Sequence, residues 1–381
     1  MVLSLLKGKR AKRVASLATW SIGIVLAIGA IRYALLTGLH HRVYHAFLYA
    51  LVAERVTEDA DTTEQALDAL NEFVYLNVRT PLEPTVIDDT AADVLIRGFG
   101  SCDQADFALT RLARELGVNG RLVFLRDEDS VSSHSVAELY LADAWRIFDT
   151  FYGWVPRRPD GQPATREDLA ADPSILSYTD ATPDWYQDGD TVALVDSEAG
   201  PAGDLASVAG DAISRMPRLV ADRIQDLYLA LPPPRYVDTG GRRVDDFRTP
   251  DGALFFAARN YQLVERVDEA RRNYEQLIQR FPRSQYADDA MYQLGVLEVA
   301  SGEPASALKW FETLQSTHPE TQWREEAQYF EAEASQLSQQ CERAYELYRV
   351  VAEGAGNGKR DALEELATGG CGLAASERLT P

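Results

Sequence analysis

Gly100-Ser101-Cys102-Asp103-Gln104-Ala105 runs directly into the apolar-periodic stretch Phe107, Ala108, Leu109, Leu112, Ala113 and Leu116. The spacing predicts an amphipathic helix over 103–116, closed by Gly117, with a cysteine where the helix begins. Free Cys is mostly protonated at neutral pH, and a helix N-terminus favours the thiolate. Two later segments complete a set. His134 opens His134-Ser135-Val136-Ala137-Glu138-Leu139-Tyr140-Leu141, and Asp149 closes Trp145-Arg146-Ile147-Phe148-Asp149. A thiol, an imidazole and a carboxylate are the parts of a nucleophile, base and orienter.

The segments around them fit an α+β domain. Thr62-Thr63-Glu64-Gln65 reads as a helix start, followed by Ala66, Leu67, Leu70, Phe73 and Val74 at helical spacing, with Thr80-Pro81 and Glu83-Pro84 as its stop. Residues 121–125, 135–141 and 145–148 read as strands, the last two joined by a turn at Ala142-Asp143-Ala144. Counting from residue 143 places 134 opposite 152 and Asp149 one diagonal step from His134, within reach of its side chain. Gly98 and Gly100 allow a tight turn before Cys102, whose backbone N–H is a natural oxyanion donor. Taken one at a time, a small buried Cys and a satisfied His are ordinary structural residues; the three contexts together carry the reading.

These residues resemble the transglutaminase-like superfamily, a papain-related cysteine fold, over about 60–152. Gly117-Val118-Asn119-Gly120-Arg121 is similar to the family's Gly-Ile-Pro-Ala-Arg segment. His134, Glu138, Tyr140, Trp145 and Asp149 fall where the family has His-Ala-Trp-x-Glu-Val-Tyr, a Trp and Asp-Pro-Thr. The resemblance implies Cys102 as nucleophile, His134 as base and Asp149 as orienter, with no cofactor and no metal. Glu138 and Tyr140 are expected to support the strand. The chain departs from the pattern at Ser135-Val136 in place of Ala-Trp, at Thr150 in place of Pro and at Asn119-Gly120 in place of Pro-Ala. The missing aromatic at 136 is expected to alter the wall of the cleft.

Outward from this core the chain changes character twice. Among 381 residues of net charge -21, residues 1–56 hold eight of the 38 Lys/Arg and one of the 59 acids, leaving 30 basic and 58 acidic residues. So acidic a remainder excludes nucleic acid as an expected partner. Residues 14–36 are apolar apart from Arg32 and follow five basic residues, which predicts a transmembrane signal anchor with a cytoplasmic tail at 1–13 and the rest extracytoplasmic, at a cytoplasmic (inner) membrane. A cleaved signal peptide is the competing reading, but no small-x-small site follows. His41 and His45 have metal-ligand spacing, set against an interfacial helix start with Tyr44, Phe47 and Tyr49.

The C-terminal third repeats at a 37-residue step. Ala270, Tyr274, Leu277 and Pro282 recur as Ala307, Phe311, Leu314 and Pro319, and in part as Ala344, Tyr348 and Val351. Ala253/Ala290/Ala327, Phe255/Tyr292/Tyr329 and Ala258/Gly295/Ala332 align at the same step. This predicts helical hairpins stacked in an array, and the pattern resembles tetratricopeptide repeats. The expected organisation is a juxtamembrane helix at 37–58, a transglutaminase-like domain at 59–200, a helical and Pro-rich linker at 201–250, repeats at 251–356 and a tail at 357–381. Cys341 and Cys371 are candidates for a disulfide pinning that tail, with simple burial of Cys341 as the alternative.

Two functions follow. One is a membrane-anchored cysteine enzyme that attacks an amide of a protein or peptide substrate through a thioester, with hydrolysis preferred over crosslinking and a protein partner on the repeats. The other is a catalytically inactive scaffold for protein–protein interaction in the envelope.

Overall fold

The computed structural model describes residues 39–79, 90–126, 132–176, 189–192, 215–231, 235–237, 244–354 and 358–369, with 208 and 212. The chain divides into two compact units, one of residues 1–47 and 198–221, the other of 48–197 and 222–381. From the first unit the described residues are 39–47, the start of helix α1 (Leu39–Val56), and 208, 212 and 215–221, which lead into the helix Arg218–Leu229.

The expected fold class needs a correction. The span at 14–36 lies outside the described residues, and among the described residues no helix is long and apolar enough to cross a membrane. The fold is an α+β domain followed by stacked helical hairpins, without a spanning helix as one of its described elements.

In the α+β domain, α2 (Thr63–Asn77) starts at Thr62, whose hydroxyl accepts the Gln65 N–H at 3.2 Å. Its stop signals at 80–84 lie outside the described residues. A short helix, α3 (Ala91–Arg97), was not anticipated: its capping box pairs Thr90 with Asp93, and Gly98 ends it at φ +83°. Then come α4 (Cys102–Glu115) and three strands, β1 (Gly120–Arg126), β2 (Ser132–Leu141) and β3 (Ala144–Phe148). The β2–β3 turn is Ala142-Asp143, both at positive φ, two residues rather than the expected three. A fourth strand, β4 (Gly189–Val192), pairs with β1, so the order is β3-β2-β1-β4, antiparallel throughout.

The sheet is covered on both faces. Helix α4 buries Ala105, Ala108, Leu109, Leu112 and Ala113 against one face. Each fully buried Leu contributes roughly 1.5–3 kcal/mol. On the other face Val123, Leu125, Val136 and Ile147 pack with Ala164 and with Leu169 of helix α5 (Arg166–Ala171). Residues 156–176, which lack any sequence periodicity, therefore close this second layer. Val136 is fully buried here, so it is part of the core rather than the wall of a cleft.

Six helices form three hairpins among the described residues: Pro250–Leu263 (α6) with Val267–Arg280, Ala287–Ala300 with Pro304–Thr317, and Arg324–Leu337 with Cys341–Glu353. A helix at Lys359–Thr368 follows. The 37-residue pattern is the core pattern: Ala270/Ala307/Ala344, Tyr274/Phe311/Tyr348 and Leu277/Leu314/Val351 are all buried. A Cβ on Gly295 would overlap the Phe311 ring, which explains glycine at a position that is alanine in the neighbouring copies. The step also repeats a polar hinge. Ser284 donates to Asp251 at 2.6 Å, and Thr321, 37 residues on, donates to Asp288 at 3.0 Å, each hydroxyl tying one hairpin to the start of the preceding one.

Arg259 of α6 joins the array to the α+β domain. Fully buried, it donates to the carbonyls of Leu95 (2.7 Å), Ile96 (3.1 Å) and Asn77 (3.1 Å) and to Gln293 (2.8 Å). It thus satisfies the last carbonyls of α3 and places a cation at that helix's negative end. The next residues in the chain are Gly98 to Cys102.

Candidate active site

Cys102 is the first residue of α4 and a free, partly exposed thiol. Two contacts shape the approach. Gln104 reaches back to accept the Ser101 N–H at 3.1 Å, and a Cβ at Gly100 would sit 2.9 Å from the Gln104 side-chain oxygen. Glycine at 100 thus leaves room for the cap. Cys102 opens the helix, and N–H groups of a first helical turn have no intrahelical acceptor, which keeps the Cys102 N–H in the role of oxyanion donor expected from the sequence.

His134 lies near the start of β2 and Asp149 just after β3. The β2–β3 register pairs Ala137 with Phe148, and extending it puts 151, not 152, opposite 134. The two-residue turn accounts for the one-residue change. Asp149 remains the diagonal neighbour of His134, and its Oδ2 lies 2.8 Å from the imidazole Nε2. The other oxygen, Oδ1, accepts the N–H groups of Phe151 (3.1 Å) and Tyr152 (3.2 Å), and the Asp149 backbone exchanges two hydrogen bonds with Trp154. The carboxylate is fully buried and held by a tight loop, which fixes the imidazole in turn. The rings of Phe151 and Tyr152 stand edge-on to His134, each 5.6 Å away between centroids. The loop turns at Gly153, φ +61°, where a Cβ would come within 2.5 Å of the Tyr75 ring.

The Cys102 thiol interacts with the same imidazole. Burial by itself would lower the His134 pKa. The Asp149 carboxylate and the Cys102 sulfur more than reverse this and hold it well above its ordinary value. The imidazole is therefore favoured in its protonated form. The structure thus brings together the three residues singled out from the sequence.

The supporting positions are also placed. Glu138 is buried and bridged by Arg121 (2.6 Å) and Arg166 (2.9 Å), so it holds β2 to β1 and to α5. Tyr140 is 43% exposed and packs edge-on against Trp145, at the far end of the hairpin from His134.

A second carboxyl, that of Asp106, lies beneath the pair and is absent from the residues singled out from the sequence. It is fully buried on α4 and meets the hydroxyls of Ser135 and Thr150, both at 2.7 Å. Burial, and after it the Asp149 charge, push its pKa up to about 8, against the lowering effects of the two hydroxyls and of His134. The available signal was an Asp on the buried face of an amphipathic helix, four residues after Cys102, where an apolar residue is the rule.

Elsewhere, Cys341 is disulfide-bonded; Cys371, the partner the sequence offers, lies outside the described residues. His41 and His45 have ring centroids 6.4 Å apart, and among the described residues no three His, Cys, Asp or Glu are grouped to hold a metal.

Residues 50–156 match the family model described as the transglutaminase-like superfamily. This interval contains Cys102, His134 and Asp149 together with the α2–β3 scaffold. It ends before the hairpins, whose likeness to tetratricopeptide repeats rests on their sequence pattern. No curated protein and no solved structure matches the chain.

Proposed function

We propose that the chain is a cysteine enzyme that cleaves an amide bond of a protein or peptide by acyl transfer through Cys102. The observation that carries this reading is the buried His134–Asp149 pair at 2.8 Å, with the free Cys102 thiol acting on the same imidazole. In the first half-reaction the thiolate attacks the amide carbonyl carbon and a carbon–sulfur bond forms. The oxyanion takes the Cys102 N–H, and His134 gives its proton to the departing amine as the carbon–nitrogen bond breaks. In the second half, water loses a proton to His134 and attacks the thioester, and the thiolate leaves. Water is preferred to a Lys amine as acceptor, in line with the hydrolytic character that the resemblance implies for bacterial members. Asp149 keeps the ring oriented and its charged form stable throughout.

The hairpin array is assigned to recruitment of a protein partner or substrate. It shares a groove of about 1120 Å³ with the α+β domain, lined by Tyr75, Leu76, Arg157, Tyr329, Glu333 and Asp361 among others. The loop 153–157 forms one wall, directly after the segment that holds His134. The disulfide at Cys341 favours an oxidising, extracytoplasmic compartment.

The test is the pH dependence of Cys102 alkylation by iodoacetamide, read by peptide mass spectrometry, against His134→Ala and against the unfolded chain. Rapid labelling well below pH 7 that disappears in the variant is the expected outcome. Labelling that rises only near the ordinary thiol value of about 8.5 would overturn the enzymatic reading and leave the inactive scaffold.

A further inference from the structure

Asp106 lies one turn along α4 from Cys102, and its two oxygens take different partners. Oδ2 meets the Ser135 hydroxyl and Oδ1 the Thr150 hydroxyl, each at 2.7 Å. Ser135 directly follows His134, and Thr150 directly follows Asp149. Successive side chains along an extended strand point to opposite sides, so the residues after His134 and Asp149 are the ones turned toward the helix. All three polar side chains are fully buried. Each would carry a desolvation cost on its own, and together they satisfy one another. Positions 135 and 150 are also two of the places where this chain departs from the family pattern of Ala after His and Pro after Asp. Both departures therefore end on one carboxyl group.

We infer that Asp106 is a positioning residue: it ties the strand bearing His134 and the loop bearing Asp149 to the helix bearing Cys102, and so sets the alignment of all three. The inference rests on reading those three as the reacting set. Both hydroxyls donate to Asp106, one to each oxygen, and when the carboxyl is a neutral acid one of them turns to accept its proton, which Ser and Thr can both do. Burial and the facing Asp149 charge keep it in that form up to about pH 8. The charged groups acting on it are Asp149, after β3, and His134, on β2. A second anion at Asp106 would set two buried carboxylates against each other beside one imidazole.

The experiment compares wild type, Asp106→Ala, Asp106→Asn, Ser135→Ala and Thr150→Val. It follows the His134 titration by its ring C–H chemical shift and the pH profile of Cys102 alkylation. Asp106→Ala is expected to slow alkylation at pH 6 about tenfold and to shift the His134 midpoint, since it removes both hydrogen bonds that tie the strand and the loop to the helix. Asn carries one donor and one acceptor, as the neutral acid does, and is expected to restore most of that loss. It should also abolish the inflection near pH 8. A folded Asp106→Ala variant with the wild-type His134 midpoint overturns the inference. So does an Asn variant as impaired as the Ala variant, which would make the anion the working form. If Asp106→Ala does not fold, the single-hydroxyl variants decide, and wild-type profiles in both overturn it. Ordinary-thiol behaviour of wild-type Cys102 would sink the enzymatic reading, whereas the His134 midpoints would still judge Asp106.

Discussion

In the α+β domain the buried polar side chains converge. Asp106, His134, Ser135, Asp149 and Thr150, drawn from a helix, a strand and a loop, form two adjoining hydrogen-bonded sets, His134 with Asp149 and Asp106 with Ser135 and Thr150. In the hairpin array the polar contacts recur instead. Ser284 on Asp251 and Thr321 on Asp288 are the same bond made 37 residues apart, between layers of Ala, aromatic and Leu that also recur. A network whose members cannot be exchanged costs stability to assemble and is informative about chemistry. A repeated bond stabilises neighbour against neighbour and describes architecture. The difference favours the first region for the proposed chemistry and describes the second as stacked architecture, with Arg259 as the shared part.

The largest effect should come from breaking that shared part. Arg259→Ala strands the carbonyls of Asn77, Leu95 and Ile96 and should cost about 3–5 kcal/mol by denaturant unfolding. A single unchanged transition would show that the two regions do not lean on this residue. Asp149→Ala tests the converging network. It should slow Cys102 alkylation at pH 6 about a hundredfold, because the imidazolium loses the carboxylate that favours it. An unchanged rate would mean that orientation of His134 does not depend on Asp149.

Asp106 supplies a pH test with a defined sign. Its folded value is raised from the usual carboxylate range to about 8, so the folded state binds the extra proton and loses stability as pH rises between roughly 4 and 8. Asp106→Asn does not titrate. Its stability relative to wild type should rise by about 1.4 kcal/mol per pH unit at most across that window and level off above it. Parallel stability curves would remove the buried neutral acid from the account. In the array, Gly295→Ala should cost about 1–3 kcal/mol through overlap with Phe311. Smallest of all, Thr321→Val should cost about 1 kcal/mol and leave alkylation untouched. A change in Cys102 reactivity from Thr321→Val would blur the division between the two regions.

Much of this was legible from local signals. The Thr62 cap, the helix after Cys102, the strands around His134 and the recurrence of Ala270, Tyr274 and Leu277 each follow from residues within a turn, a pleat or one repeat of each other. Helix α3, the layer from 156–176 and strand β4 were not legible. Helix α3 is short and buried throughout, so it shows no amphipathic face, and β4 is defined by its pairing with β1 rather than by its composition.

What the sequence determined by itself was the order of the parts: a thiol at a helix start, an imidazole and a carboxylate on a hairpin, then a 37-residue array. Those properties depend on backbone periodicity and on spacing along the chain. Only the tertiary structure decided that Asp106 lies beneath Ser135 and Thr150, that Val136 is core, and that Arg259 closes α3. Each of these joins residues far apart in sequence, and burial that is shared between distant segments has no local period to reveal it.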